Sequence, residues 1–131
     1  MDFTPLVSMI RQTLPSAVAI YVFGSVARGD ETAGSDLDLA VLAPHQLDPV
    51  ARWTLAQRLA ETAGRDVDLV DLRAASTVMR VQVFASSKLL YEGDRTARAL
   101  FEATALADYA RLNEERRAIV EDARASGRIH G

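Results

Sequence analysis

Val22-Phe23-Gly24-Ser25-Val26-Ala27-Arg28-Gly29-Asp30, continued by Glu31 to Ser35 and closed by Asp36-Leu37-Asp38-Leu39-Ala40-Val41-Leu42, carries the reading of the whole chain. The apolar run Ala17 to Phe23 alternates too little for a half-solvated strand, so it reads as a buried strand ending at Gly24. Gly24 is where the chain turns. Ser25 stands where it can cap a short helix, so free backbone N–H groups and the positive end of the helix dipole gather beside its hydroxyl and favour an anion. Asp30 to Ser35, with Gly34 as turn residue, leads into a second strand. Asp36 and Asp38 stand on it at i and i+2, which puts both carboxylates on one face about 7 Å apart. Leu37, Leu39 and Val41 point the other way. Mg²⁺ prefers oxygen ligands and usually bridges protein carboxylates to substrate phosphates, so this pair beside an anion-favouring turn suits a divalent cation and a polyphosphate together.

Composition narrows the alternatives. The chain has 131 residues, enough for one domain that buries roughly two thirds of its unfolded surface. Its 15 basic and 18 acidic residues give a formal charge of −3, which disfavours broad nucleic-acid binding, so any nucleotide is expected to be held locally. The lack of cysteine excludes disulfides, thiolate catalysis and zinc–cysteine sites, and His45 and His130 form no ligand motif. No positively charged leader with an apolar core opens the chain, and no apolar run approaches the ~20 residues of a spanning helix, so a cytoplasmic location with no membrane segment is expected. The glycines lack both the Gly-Lys-Ser/Thr end of a P-loop and the three-glycine dinucleotide fingerprint. Ser25 lacks the Gly-x-Ser-x-Gly elbow of a serine nucleophile.

Along the rest of the chain, Thr4 and Pro5 suit the cap and first position of a helix on which Leu6, Val7, Ile10 and Leu14 recur until Pro15. Pro44 ends the second strand. Asp48 and Pro49 open an amphipathic helix with Val50, Trp53, Leu55, Ala56, Leu59 and Ala60 as its apolar stripe and Gly64 just past its end, and Trp53 is expected in the core rather than stacked on a base. In the third strand, Asp66 to Leu72, alternation puts Asp66, Asp68 and Val70 on one face and Val67, Leu69 and Asp71 on the other. Ser76 caps a helix through Phe84, and Lys88 to Tyr91 forms a last strand ending at Glu92-Gly93. From Asp94 to about Ala125 the chain is alanine-rich and densely charged, one long helix or two. Asp94 with Arg98, Arg111 with Glu115 and Arg117 with Glu121 stand at i and i+4. Leu100, Phe101, Leu106, Tyr109, Leu112, Ile119 and Val120 give it an apolar side, for packing on the domain or for a partner. Ser126 to Gly131 is expected to fray.

The spacing of Gly-Ser, ten residues and Asp-x-Asp resembles the signature of the DNA polymerase beta-like nucleotidyltransferase superfamily. Gly24-Ser25-x-Ala27-Arg28-Gly29-Asp30 looks like that of its minimal nucleotidyltransferase branch, and the resemblance covers about residues 18 to 92. It implies an α/β fold: a small mixed sheet with helices on one face and the carboxylates on the other, residues 1–131 as a single domain and 94–126 as a C-terminal helical segment. It also implies that Asp36 and Asp38 hold metal and that a third acid comes from the neighbouring strand, about 4.8 Å away. Asp68, set inside an apolar strand, fits that position better than Asp66 at the strand's edge. Two Mg²⁺ ions and ATP as substrate follow, with Gly24 and Ser25 on the β- and γ-phosphates. Arg28 is either phosphate-facing or a solvated helix residue.

In this branch the usual partner is a HEPN-domain toxin, a small helical RNase. The resemblance therefore implies an antitoxin that moves AMP from ATP to a partner hydroxyl, a tyrosine by expectation, within a hetero-oligomer. Two rivals stand beside it: a nucleotidyltransferase acting on a small molecule of the aminoglycoside type, and a non-catalytic nucleotide-binding module that neutralises its partner by covering it.

Overall fold

The computed structural model describes residues 1–32 and 34–126; Ala33 and residues 127–131, which include His130 and nearly all of the tail expected to fray, lie outside them. The buried apolar run forms strand β1, Ala19–Phe23, and passes directly into the short helix α2, Gly24–Arg28. After the acidic loop, β2, Leu37–Leu42, returns antiparallel to β1, pairing Phe23 with Asp38 and Ala19 with Leu42. The crossover through helix α3, Pro49–Ala63, brings β3, Val67–Asp71, parallel to β2. Helix α4, Thr77–Ser86, leads to β4, Lys88–Glu92, antiparallel to β1, which completes a four-stranded mixed sheet in the order β3-β2-β1-β4. Helix α1, Thr4–Thr13, precedes the sheet and α5, Arg95–Ala125, follows it. No helix among the described residues is long and apolar enough to cross a membrane.

Side-chain alternation on β1 and β2 builds two cores. Ile20, Val22, Leu37, Leu39 and Val41 face α1 and α3 and bury Leu6, Ile10, Leu55 and Leu59. Each such side chain is worth about 1.5–3 kcal/mol once removed from water. Helices were expected on one face only, but the second face is covered too. Tyr21, Ala40, Leu42, Leu72 and Val83 pack with Met79 and Phe84 of α4 and Phe101 of α5. The Phe84 ring lies 5.7 Å from Tyr21 and 6.1 Å from Phe101. Asp38 stands on this second face, paired with Phe23 where β1 passes into α2. The Tyr21 hydroxyl donates to Glu102 at 2.8 Å, and Arg98 donates to Glu102 at 2.9 Å and to Glu92, which latches the start of α5 to the sheet. Burial first, then the Glu102 carboxylate, holds the Tyr21 phenol above its ordinary pKa.

Caps follow the sequence in most places. The Asp48, Ser76 and Asp94 side chains accept from Ala51, Met79 and Ala97 N–H at 3.0, 3.1 and 3.0 Å, and Gly64 takes the left-handed conformation that closes α3. Thr4, expected as a cap, is already helical, and its N–H donates to Asp2 at 2.9 Å.

Two expectations about the helices need correction. Trp53 is 61 % exposed and Val50 71 %, because Leu55, Ala56 and Leu59 define the buried side of α3 and Trp53 lies about 100° around the helix from its middle. Arg52 occupies that middle and donates to the Leu69 carbonyl at 3.0 Å. In α5, a single helix of 31 residues, only Ala105 is buried, while Leu100, Leu106, Ile119 and Val120 are exposed. A helix of that length spans about 46 Å, whereas the strands beneath reach about 17–20 Å, so the sheet can cover only its first turns. None of the three expected i,i+4 pairs forms among the described residues: Asp94 is the cap, Arg98 turns to Glu92 and Glu102, and Arg111 pairs with Asp108 at 2.6 Å.

Candidate active site

The site begins where β1 stops. Gly24 has φ +73°, a left-handed value that lets the chain swing from extended strand to helix without a spacer. A Cβ there would stand 2.2 Å from Asp38 Oδ2, so the Asp38 carboxylate lies directly against the glycine backbone. The helix starts two residues earlier than the sequence suggested. Ser25 is thus inside α2 rather than capping it: Phe23 holds the cap position, no side chain caps the helix, and the Ser25 carbonyl accepts from Asp30 N–H at 3.2 Å. The half-buried Ser25 side chain lines the turn, and its hydroxyl makes no hydrogen bond among the described residues.

The parallel register sets Asp38 opposite Asp68 on the same face of neighbouring strands. Asp36 lies just before β2 and, like Asp68, is exposed, whereas Asp38 is half-buried. The Asp38 carboxyl is pushed above its ordinary pKa, first by burial and then by the negative charges of Asp68 and Asp36; the Arg28 guanidinium pulls it back. Asp36 and Asp68 therefore both lie within electrostatic range of Asp38. Asp66 precedes β3, is exposed, and uses its carbonyl to accept from Leu37 N–H at 2.9 Å. Its side chain lines an open 550 Å³ hollow with Asp36, Glu61 and Arg65. Arg28 is exposed and donates to Asp30 Oδ2 at 3.3 Å, beside the turn and within electrostatic range of Asp38. The buried Asp71, on the opposite face, ends β3 by accepting from Leu47 and Arg73 N–H at 2.8 and 3.0 Å.

Sequence spacing gave no sign of Arg65. It bridges to Glu31 at 2.8 Å and to the Ser35 carbonyl at 3.5 Å, tying the acidic loop to the start of β3 across some thirty residues of chain. Within the loop, Thr32 N–H donates to Ser35 Oγ at 2.8 Å and Ser35 N–H to the Thr32 carbonyl at 3.0 Å, which delivers Asp36 to the edge of the sheet.

An oxygen-only donor set in which Asp36 and Asp68 repel Asp38 suits a hard divalent cation, which would offset that part of the Asp38 shift. Among the described residues no three acids converge tightly enough to form a cage unaided. Mg²⁺ does not demand one, since it commonly takes one or two protein carboxylates and fills its octahedron with water and substrate phosphates. The 820 Å³ hollow beside α1, lined by Arg11 and Leu90, lies away from these acids and offers no such donor set.

Residues 7–96 match the family described as Polymerase beta, Nucleotidyltransferase. The chain is 43% identical over 121 residues to the protein adenylyltransferase MntA of Shewanella oneidensis, covering 92% of this chain and 86% of that protein. It superposes with a TM-score of 0.85 on a chain in the crystal structure of a toxin–antitoxin with AMP-PNP, at 41% identity, covering 94% of this chain and 98% of that one. It also superposes with a TM-score of 0.76 on a chain in the complex of tri-AMPylated Shewanella oneidensis HEPN toxin with MNT antitoxin, again at 41% identity, covering 92% and 93% of the two chains.

Proposed function

The chain belongs to the polymerase beta nucleotidyltransferase family, and from that we propose that it is a protein adenylyltransferase which moves AMP from ATP to a hydroxyl of a HEPN toxin and so acts as its antitoxin. The observation that carries the reading is the β2–β3 register: it sets Asp38 opposite Asp68, with Asp36 two residues upstream and the Gly24 turn pressed against the Asp38 carboxylate. We assign the acceptor to a tyrosine of the toxin, read residues 1–131 as one minimal nucleotidyltransferase domain, and place it in the cytoplasm.

Asp36, Asp38 and Asp68 would hold Mg²⁺, as two ions by the family resemblance; when bound, the metal lowers the pKa of the attacking hydroxyl and offsets charge at the α-phosphorus. Asp68 is preferred to Asp66 as the third acid because it raises the Asp38 pKa. The backbone at Gly24 and Ser25, free of a side-chain cap, presents N–H groups to the β- and γ-phosphates. Arg28, exposed beside that turn, supplies positive charge to the same phosphates. Asp68, exposed at the rim, can accept the proton of the incoming hydroxyl. Oxygen of the hydroxyl then bonds to the α-phosphorus while the bond to the β-phosphate bridge breaks, and diphosphate leaves with its electron pair. Holding both reactants in line is the main service of the fold, because effective concentration replaces a bimolecular encounter.

Incubation of the chain with its HEPN partner, Mg²⁺ and ATP labelled at the α-phosphate should add one or more AMP units to the partner, seen as label and as intact-mass increments. Full neutralisation of the toxin with no mass change would overturn the reading in favour of a covering module. Ser25→Ala bears on the turn. With no cap bond to lose, its stability should stay within about 0.5 kcal/mol of the parent. The KM for ATP should rise about tenfold as one phosphate contact is lost. A marked drop in Tm with ATP use intact would return Ser25 to a structural role.

A further inference from the structure

At the far end of β2 and β3 from the acids, about 15–20 Å away along the strands, lies another hollow, of 600 Å³. His45, Arg73, Arg80, Leu100, Phe101 and Thr104 form most of its wall, and no aspartate or glutamate lines it among the described residues. Its two guanidinium groups are fixed in place. Arg73 donates through Nε to the Ala43 carbonyl at 2.8 Å; Arg80 donates to the Leu72 and Arg73 carbonyls at 2.8 and 2.9 Å. Both lie over Phe101, 5.0 and 4.9 Å from the ring centroid. Neither makes a carboxylate ion pair among the described residues, whereas Arg28, Arg65, Arg98 and Arg111 all do.

A pair of preorganised guanidiniums with no acid of their own, in a chain of net charge −3, calls for an acid from outside. Leu100, 67 % exposed at the mouth, continues the wall as an apolar ledge on α5. A free anion gains nothing from that ledge, and the overall negative charge disfavours RNA. Arginines set against an aromatic ring are the residue types enriched where proteins bind one another, and the exposed leucine beside them adds apolar area for a partner to cover. We propose that this hollow is the docking site for an acidic segment of the protein acceptor, an aspartate or glutamate facing Arg73 and Arg80 with an apolar neighbour on Leu100. The proposal rests on the adenylyltransferase reading and adds where the acceptor is gripped. Docking at this distance raises the local concentration of the acceptor hydroxyl at the acids without a deep pocket around them.

Two variants test it. Arg80→Gln removes one guanidinium, and Thr104→Glu places a carboxylate at the exposed mouth while keeping every arginine hydrogen bond, so at least one remains folded. The HEPN partner is titrated by calorimetry at low and high salt, transfer is measured against partner concentration, and MgATP affinity serves as the control. For both variants we expect the partner Kd and KM to rise about tenfold and the salt dependence of binding to flatten, with kcat at saturating partner and MgATP affinity within about twofold of the parent. A folded Thr104→Glu variant with parental partner Kd and salt dependence overturns the proposal. So does loss of binding to a short single-stranded RNA probe with partner affinity unchanged, which would make the hollow a nucleic-acid site. Calorimetry needs no turnover; if the partner binds through these residues but never gains AMP, the transferase reading fails while the docking site stands.

Discussion

Asp38→Asn is expected to cut AMP transfer by roughly a thousandfold or more, the scale of removing about 4 kcal/mol of transition-state stabilisation, while the protein stays folded. Asp38 is the half-buried member of the acidic trio, flanked by Asp36 and Asp68 and set against Gly24, so its carboxylate is the one the fold has fixed. Stability should move the other way. The Asp38 carboxyl has a folded pKa above its unfolded value, so the folded state holds its proton more firmly. Ionising Asp38 therefore costs stability, and the cost enters as pH rises through the ordinary carboxylate range, about pH 4, and then through the raised folded value. Asparagine removes that cost. The Tm of the variant should exceed the parent's at neutral pH, and the gap should close as pH falls below about 4. Transfer rates with the HEPN partner and melting curves over pH 3–8 check both parts. Parental transfer by Asp38→Asn at ordinary Mg²⁺ concentration would sink the assignment; a Tm gap that widens toward acid pH would remove the electrostatic account.

Gly24→Val should be as damaging to activity and should also destabilise. A β-branched residue at φ +73° costs about 1–3 kcal/mol in backbone strain. Its Cβ would also stand 2.2 Å from Asp38 Oδ2 and 3.1 Å from Asp38 Cγ. Turning the Asp38 carboxylate away from the turn would relieve the collision, and it would separate the acid from the backbone proposed to face the phosphates. Even Gly24→Ala meets this collision, so it too should lose most transfer. Gly29 supplies the control: it has φ +79°, but a Cβ added there would meet nothing within 4 Å, so Gly29→Ala carries strain without contact. Gly29→Ala should lose no more stability than Gly24→Ala and keep transfer within about tenfold, because it shares the strain but not the collision. Measuring Tm, MgATP affinity by calorimetry and AMP transfer for the three variants separates strain from collision. If Gly24→Val binds MgATP as tightly as the parent and transfers at the parental rate, the close fit of turn and acid has no functional weight.

Most of the fold was legible because its signals are local. The apolar run to Phe23, the Asp48-Pro49 and Ser76 caps, Gly64 and the alternation of β3 each read out a few neighbouring residues, and each element lies within a residue or two of its expected place. Failures came where an element's surroundings decide. Trp53 belongs to an apolar stripe on paper but lies outside the arc of α3 that meets the sheet. The i,i+4 charges of α5 had competitors that spacing cannot show: Asp94 bonds the helix end and Arg98 reaches back to β4.

The candidate site divides in the same way. Gly24, Ser25, Asp36 and Asp38 could be picked out from the chain alone, since a glycine turn, a hydroxyl and two carboxylates one strand repeat apart form a pattern within a short stretch of sequence. Their family resemblance supplied Asp68 as a candidate, and alternation left Asp66 on the same face. Only the pairing of β2 with β3 put Asp68 directly across from Asp38, because register is a contact between strands far apart in sequence and a slip of one residue would have turned Asp68 to the other face. The Glu31–Arg65 strap, the pressure of Asp38 on Gly24 and the carboxylate-free hollow under α5 are likewise meetings of distant segments. Periodicity fixes which face a side chain takes, but packing chooses which neighbour it finds there.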